Sequence, residues 1–215
     1  MLKKYTVNII FRVLCAALLA FPLSVQAAPA DDARAALEQR INKVIELIKA
    51  PAFTAPGERD RQIEKINAEI LTIFDFEEFS ARTIGRRWQA FTPQQKQDFM
   101  GAFDNLLVAT YLEKMDSYSG QSVKYTGSRT SQDGSKVEMQ TAVISEGREI
   151  PVSYQMILKS KGWVVYDVRI EGMSLVENYR SQFSEIFKSG GSVEDLIARV
   201  RKLAADTQAK NRKGA

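Results

Sequence analysis

From Asp31 onward, apolar residues return every three or four positions: Ala36, Leu37, Ile41, Val44, Ile45 and Ile48. That period predicts an amphipathic helix, and Pro51 ends it. Two prolines and a glycine between Ala50 and Gly57 predict a loop. Ile63, Ile66, Ile70 and Ile73 share one face of a second helix, from about Glu58 to Ile73. Asp75 is a candidate N-cap for a short third helix. Glu78 follows three residues later, and Phe74 and Phe79 hold the staple positions on either side. This helix carries Phe76, Phe79 and Ile84; Gly85 stops it and Trp88 follows. Thr92-Pro93-Gln94-Gln95 opens a longer helix with a cap, a proline at the first helical position and a glutamine at the third. Phe99, Phe103, Leu106, Leu107 and Tyr111 lie along it, to about Met115.

There the period falls to two. Four strands are predicted at roughly 121–131, 135–145, 148–159 and 163–170, joined by turns at Asp133-Gly134, Glu146-Gly147 and Lys161-Gly162. Turns this short make the strands an antiparallel meander. Gly172 breaks the last one. Ser174 with Glu177, and Ser192 with Asp195, are capping boxes for two C-terminal helices separated by Gly190-Gly191. The fold class is therefore α+β: a curled four-stranded antiparallel sheet with several helices over one face.

The alternating positions say which face that is. Val137, Met139, Thr141 and Val143 continue into Val152, Tyr154, Met156 and Leu158, and then into Val164, Tyr166, Val168 and Ile170. The intervening set, with Glu138, Gln140, Ser153, Gln155, Asp167 and Arg169, is mostly polar. Two readings fit a continuous apolar face. It is filled as a core, or the helices roof it incompletely and leave a cavity for an apolar ligand. Roof candidates are Phe99, Phe103, Leu107 and Tyr111 on the long helix, with Phe76, Phe79, Ile84 and Trp88 beside them. If the roof must open, the chain breaks at Pro51 to Gly57, at Gly85 and at Gly190-Gly191 are the hinge candidates, with Gly85 beside the mouth.

The N-terminus changes the compartment. Lys3 and Lys4 precede an apolar run from Val7 to Leu23, and Val25-Gln26-Ala27 is a processing site, so residues 1–27 read as a cleaved signal peptide. The run after Arg12 is too short for a membrane anchor. Residues 28–215 then form one domain: helices over about 31–118, sheet over about 121–170, C-terminal helices over about 174–206. The single cysteine, Cys15, lies in the signal and lacks a lipobox, and the chain has no histidine. Disulfides, Cys/His zinc sites, cysteine nucleophiles and a Ser-His-Asp triad are thereby excluded from the mature chain. No metal or cofactor motif is present. Without Lys3, Lys4 and Arg12 the 30 basic residues become 27 against 26 acidic ones. Nucleic acid is therefore not an expected partner. The basic tail Lys210-Asn211-Arg212-Lys213 reads as frayed. Asp75, Glu77 and Glu78 suit a helix start. Asp167 and Arg169 can pair across one sheet face.

Two strings carry a resemblance. One is Phe74-Asp75-Phe76-Glu77-Glu78-Phe79-Ser80, continuing through Gly85-Arg86, Trp88 and Thr92-Pro93. The other runs from Tyr166-Asp167-Val168-Arg169-Ile170-Glu171-Gly172-Met173-Ser174 through Leu175-Val176-Glu177-Asn178-Tyr179-Arg180 to Phe183. Both resemble the MlaC family, also called the toluene-tolerance family, over about Asp31 to Leu203. The resemblance implies a non-enzymatic, monomeric periplasmic phospholipid carrier of a Gram-negative bacterium. Such a carrier moves lipid between an outer-membrane lipoprotein–porin complex and an inner-membrane ABC transporter, and so maintains outer-membrane lipid asymmetry. It also implies acyl chains held between sheet and helices in a cone-shaped fold. A hopanoid-associated relative binding another lipid, a small secreted hydrolase and a structural module with a filled core are the alternatives.

Overall fold

The computed structural model describes residues 28–214 except 56, 117 and 119, and the side chains of 112–116 and 212–214 are not part of that description. The signal-peptide segment and Cys15 lie outside the described residues. Six helices are present among them: α1 (Pro29–Lys49), α2 (Arg59–Ile73), α3 (Phe76–Ile84), α4 (Pro93–Asp116), α5 (Leu175–Lys188) and α6 (Val193–Gly214). Short 3₁₀ turns at Pro51–Phe53 and Gly85–Ala90 join α1 to α2 and α3 to α4. The strands are β1 (Ser122–Thr130), β2 (Lys136–Ser145), β3 (Arg148–Lys159), β4 (Gly162–Ile170) and β5 (Met173–Ser174). They form one open antiparallel sheet in chain order. The sheet thus has five strands rather than four. The added one is only two residues long, too short for any alternation to reveal, and it pairs with Arg169 and Ile170.

Local chemistry explains the helix starts. The Asp75 carboxylate accepts the Glu78 N–H at 3.0 Å, and the staple rings of Phe74 and Phe79 meet edge-on at 5.7 Å. Thr92 and Gln95 exchange both bonds of a capping box, at 2.8 and 3.2 Å, and so do Ser192 and Asp195, at 2.8 and 3.1 Å. Glu146 and Gly147 both take positive φ, 49° and 76°, as a tight two-residue hairpin turn requires. The basic C-terminal tail continues the last helix. α6 runs to Gly214, and the Asn211 amide donates to the Ala109 carbonyl of α4 at 2.8 Å.

Two hydrophobic cores result. The first lies among the helices. Phe79 and Phe103 stack at 5.7 Å, and Phe99, Tyr179 and Phe183 close around them, with Phe103 and Tyr179 only 4.9 Å apart. Such pairs add about 0.5–1.5 kcal/mol each beyond area burial. The second lies between α1 and the sheet, where Ala33 and Leu37 pack against Val137, Met139, Val152, Met156, Val165 and Val168. Phe74 and Leu175 touch both cores.

β4 departs from strict alternation. Opposite Gln155 and Met156 its partner shifts from Asp167 to Val165, so Tyr166 is bulged out. A bulge of one residue reverses which side chains face inward. Val168 and Ile170 keep the inner face, but below the bulge it is Val165 and Trp163 that turn into the core. Val164 and Tyr166, expected on that face, are not in it. The Tyr166 ring instead lies under the Arg82 guanidinium at 4.3 Å. Leu158, also expected there, is half exposed at the end of β3. Asp167 does not pair with Arg169. It is buried, accepts the Ser174 hydroxyl at 2.6 Å and the Val176 N–H at 3.1 Å, and so ties β4 to the start of α5. A buried carboxylate needs such donors.

Candidate functional site: an apolar cavity between the two cores

Where the two cores part, a cavity of about 340 Å³ remains. α1 contributes Ile41, Val44 and Ile45 to its wall; α2 contributes Asn67, Ile70, Leu71 and Ile73. Phe74, with Phe76 and Phe79 of α3, forms one end. α4 adds Asp104, Leu107, Val108 and Tyr111, and the sheet side supplies Tyr154, Val168 and Ile170, with Leu175. The wall exists because each element turns its apolar stripe inward while neither core has enough side-chain volume to meet the other. Protein interiors are otherwise close-packed, so an unfilled apolar space of this size is the candidate binding site.

The sequence-expected positions divide between cavity and core. Phe76, Phe79, Leu107, Tyr111, Tyr154, Val168 and Ile170 line the cavity. Ile84, Trp88, Phe99 and Phe103 are buried in the helical core. Val137, Met139, Val152 and Met156 are buried against α1, with Val143 packed at that core's edge. Val164 is buried outside both cores, and Tyr166 lies beneath Arg82. The wall formed by α1 and α2 was not expected. Its signal was present as the apolar faces of those helices, Ile41, Val44 and Ile45 with Ile70 and Ile73, but periodicity alone does not say what a helix face covers.

Polar groups are few. Burial pushes the Tyr111 and Tyr154 hydroxyls up to about 12, so both stay neutral at working pH. Asp104 is the one carboxylate in the wall among the described residues. It accepts a hydrogen bond from the Asn67 amide at 2.9 Å, and this bond bridges α4 to α2. Burial holds its carboxyl above the ordinary range, an effect that the Asn67 bond partly offsets. Among the described residues no group of His, Cys, Asp and Glu side chains is arranged to hold a metal ion, and no helix is long and apolar enough to cross a membrane.

An open sheet and a set of helices enclosing an apolar hollow define a class, α+β proteins built around an internal apolar cavity. The MlaC protein family model matches residues 38–202, and the chain belongs to that family. One relative, the intermembrane phospholipid transport system binding protein MlaC of Haemophilus influenzae, is 19% identical over 144 residues, which span 65% of this chain and 67% of the relative. A solved structure of a phospholipid-binding protein from Ralstonia solanacearum, in complex with a phospholipid, is 28% identical. It aligns with a TM-score of 0.73 over 82% of this chain and 98% of that one.

Proposed function

We propose that this protein is a phospholipid carrier of an intermembrane transport system. The observation that carries the reading is the cavity of about 340 Å³ whose wall is almost wholly aliphatic and aromatic. The Haemophilus relative and the phospholipid in the Ralstonia structure support it. Burying a methylene is worth about 0.8 kcal/mol, so the roughly 30 methylenes of a two-chain lipid cost on the order of 25 kcal/mol to hold in water. A carrier must offer cover comparable to a bilayer's and little more, or it would not unload. A dry wall with a single carboxylate meets that condition. The volume is near the lower end of the roughly 300–1,000 Å³ of ligand pockets, so the helices must separate further when both chains enter.

On this reading the acyl chains lie along Phe76, Phe79, Leu107, Tyr111, Tyr154, Val168 and Ile170, joined by Ile41, Val44, Ile70 and Val108. The remaining expected residues, among them Trp88, Phe99, Phe103, Val137, Met139 and Met156, stiffen the two cores behind the wall. The carrier works in the periplasm after removal of residues 1–27. It exchanges lipid with an ABC transporter complex of the inner membrane and a lipoprotein–porin complex of the outer membrane.

Protein expressed as the full precursor and examined by native mass spectrometry is expected to carry phospholipid. Ile70→Glu on α2, which puts an unpaired charge into the half-buried wall, is expected to fold and lose most of it, and Val168→Arg, at a buried position of the sheet, to eject lipid or unfold the protein. A folded wild-type protein of ligand-free mass, or an Ile70→Glu variant with undiminished lipid, overturns the reading.

A further inference from the structure

A lipid has one polar end, and this cavity has one polar stretch. Asn67 of α2 and Asp104 of α4 stand together in an otherwise apolar wall, joined by their 2.9 Å hydrogen bond. Both are half-buried, so the stretch faces solvent as well as the hollow. Asp104 has unspent capacity. A carboxylate offers about four acceptor sites, the amide takes one, and among the described residues no lysine or arginine forms an ion pair with it. Nor, among the described residues, does any cation line the cavity. Among the described residues the phosphate of a bound lipid therefore meets no positive side chain there, and an ammonium on the ligand itself is the charge left to pair with Asp104.

We propose that Asp104 selects the headgroup, favouring phospholipids that bear an ammonium group over those with a net negative headgroup. This rests on the carrier reading. With acyl chains on the aliphatic wall, the headgroup emerges at the polar stretch. An ethanolamine ammonium can donate to the free acceptor sites of Asp104 and offset the repulsion between carboxylate and phosphate. A glycerol headgroup leaves two like charges facing each other beside low-dielectric walls, where Coulomb terms exceed those in water. Asn67 is a positioning residue: its amide fixes the carboxylate rotamer and keeps α2 beside α4.

The bland alternative is that the pair only fastens two helices, and one substitution separates the two roles. Asp104→Asn removes the charge but can still accept from the Asn67 amide. Wild type, Asp104→Asn, Asp104→Glu and Asn67→Ala are each delipidated and loaded from vesicles of equal parts palmitoyl-oleoyl phosphatidylethanolamine and phosphatidylglycerol, and the bound lipids are extracted and weighed by mass spectrometry. Wild type is expected to be enriched about three- to ten-fold in the ethanolamine lipid. In the lipid that each variant does bind, Asp104→Asn should lose that preference and Asp104→Glu should retain it. Asn67→Ala should weaken it, and salt should shrink it in wild type. Equal lipid ratios in wild type and Asp104→Asn, or a wild-type preference for the glycerol lipid, overturn the selector while leaving the carrier intact. Absence of lipid from every form overturns the carrier reading and the selector with it.

Discussion

Two aspartates begin helices in this protein, by different routes. Asp75 caps its own helix, accepting the Glu78 N–H, while its other oxygen lies 3.4 Å from the Lys159 ammonium. Asp167 sits on β4 and caps α5 from outside, through the Ser174 hydroxyl and the Val176 N–H. The first is partly exposed and the second buried, so their removal should differ. Asp75→Asn should be neutral and Asp75→Ala should cost about 1 kcal/mol, the usual worth of a cap. Asp167→Ala strands two buried donors and should cost about 2–4 kcal/mol. Asp167→Asn should fall between, because the Ser174 hydroxyl can turn to accept from the new amide. Urea denaturation of the four variants checks the order, and an Asp167→Ala protein as stable as Asp75→Ala would contradict it. Asp75 was legible in the sequence because its partner is three residues away. Asp167 was misread as pairing with Arg169 on one sheet face because its partners are seven and nine residues away, across a turn that no period marks.

At the scale of elements, the starts of α3, α4, α5 and α6 were readable, since capping is a local contest decided within four residues, whereas α1 and α2 have no side-chain cap and α1 begins at Pro29 rather than Asp31. The sheet was readable where apolar and polar residues alternate, as from Val137 to Thr141 in β2 and from Val152 to Met156 in β3. It failed in β4 because Trp163-Val164-Val165-Tyr166 is apolar at every position, so both phases fit, and only the bulge at Tyr166 chooses between them. The candidate site suffered in the same way: a helix face declares that it is buried, not whether a core or a cavity lies beneath it. One helical residue has no visible reason to be where it is. Gly101 lies within α4, is exposed, and a Cβ built on it would meet nothing within 4 Å. Glycine inside a helix costs about 0.5–1 kcal/mol relative to alanine. Gly101→Ala should therefore raise the melting temperature by about 2–3 °C. Gly191→Ala should lower it, because its Cβ would come within 2.8 Å of the Ile186 carbonyl oxygen in the turn between α5 and α6. Calorimetry of both variants decides, and a stabilised Gly191→Ala would mean that the turn relaxes freely.

The whole molecule has to let a two-chain lipid in and out of a hollow smaller than the lipid, and its parts differ in how readily they can yield. The sheet cannot part without breaking its ladder. α3 and α4 are locked by the rings of Phe76, Phe79 and Phe103, within about 6 Å of one another, so the break at Gly85 borders a filled core rather than the cavity. α1 and α2 instead lie directly on the cavity wall, are joined by the segment around Pro51–Phe53, and α2 meets α4 through the Asn67–Asp104 hydrogen bond. A neutral-to-charged bond of this kind is worth about 1.5–3 kcal/mol at most, small enough to open on the timescale of lipid exchange. Lipid should therefore pass between α2 and α4. With Cys15 replaced or removed with the signal, cysteines placed at 67 and 104 are the only thiols in the chain. Joined by a short thiol-reactive cross-linker after loading, they should slow transfer to acceptor liposomes at least about ten-fold relative to the same protein left unlinked. The unlinked protein controls for loss of the original pair, and a cross-link between cysteines at 93 and 194, near the Gln95–Glu194 contact at the far end of α4, controls for general stiffening. Equal transfer by the linked and unlinked 67–104 protein would rule out this gap, and slowing only by the 93–194 link would move the gate to the C-terminal helices.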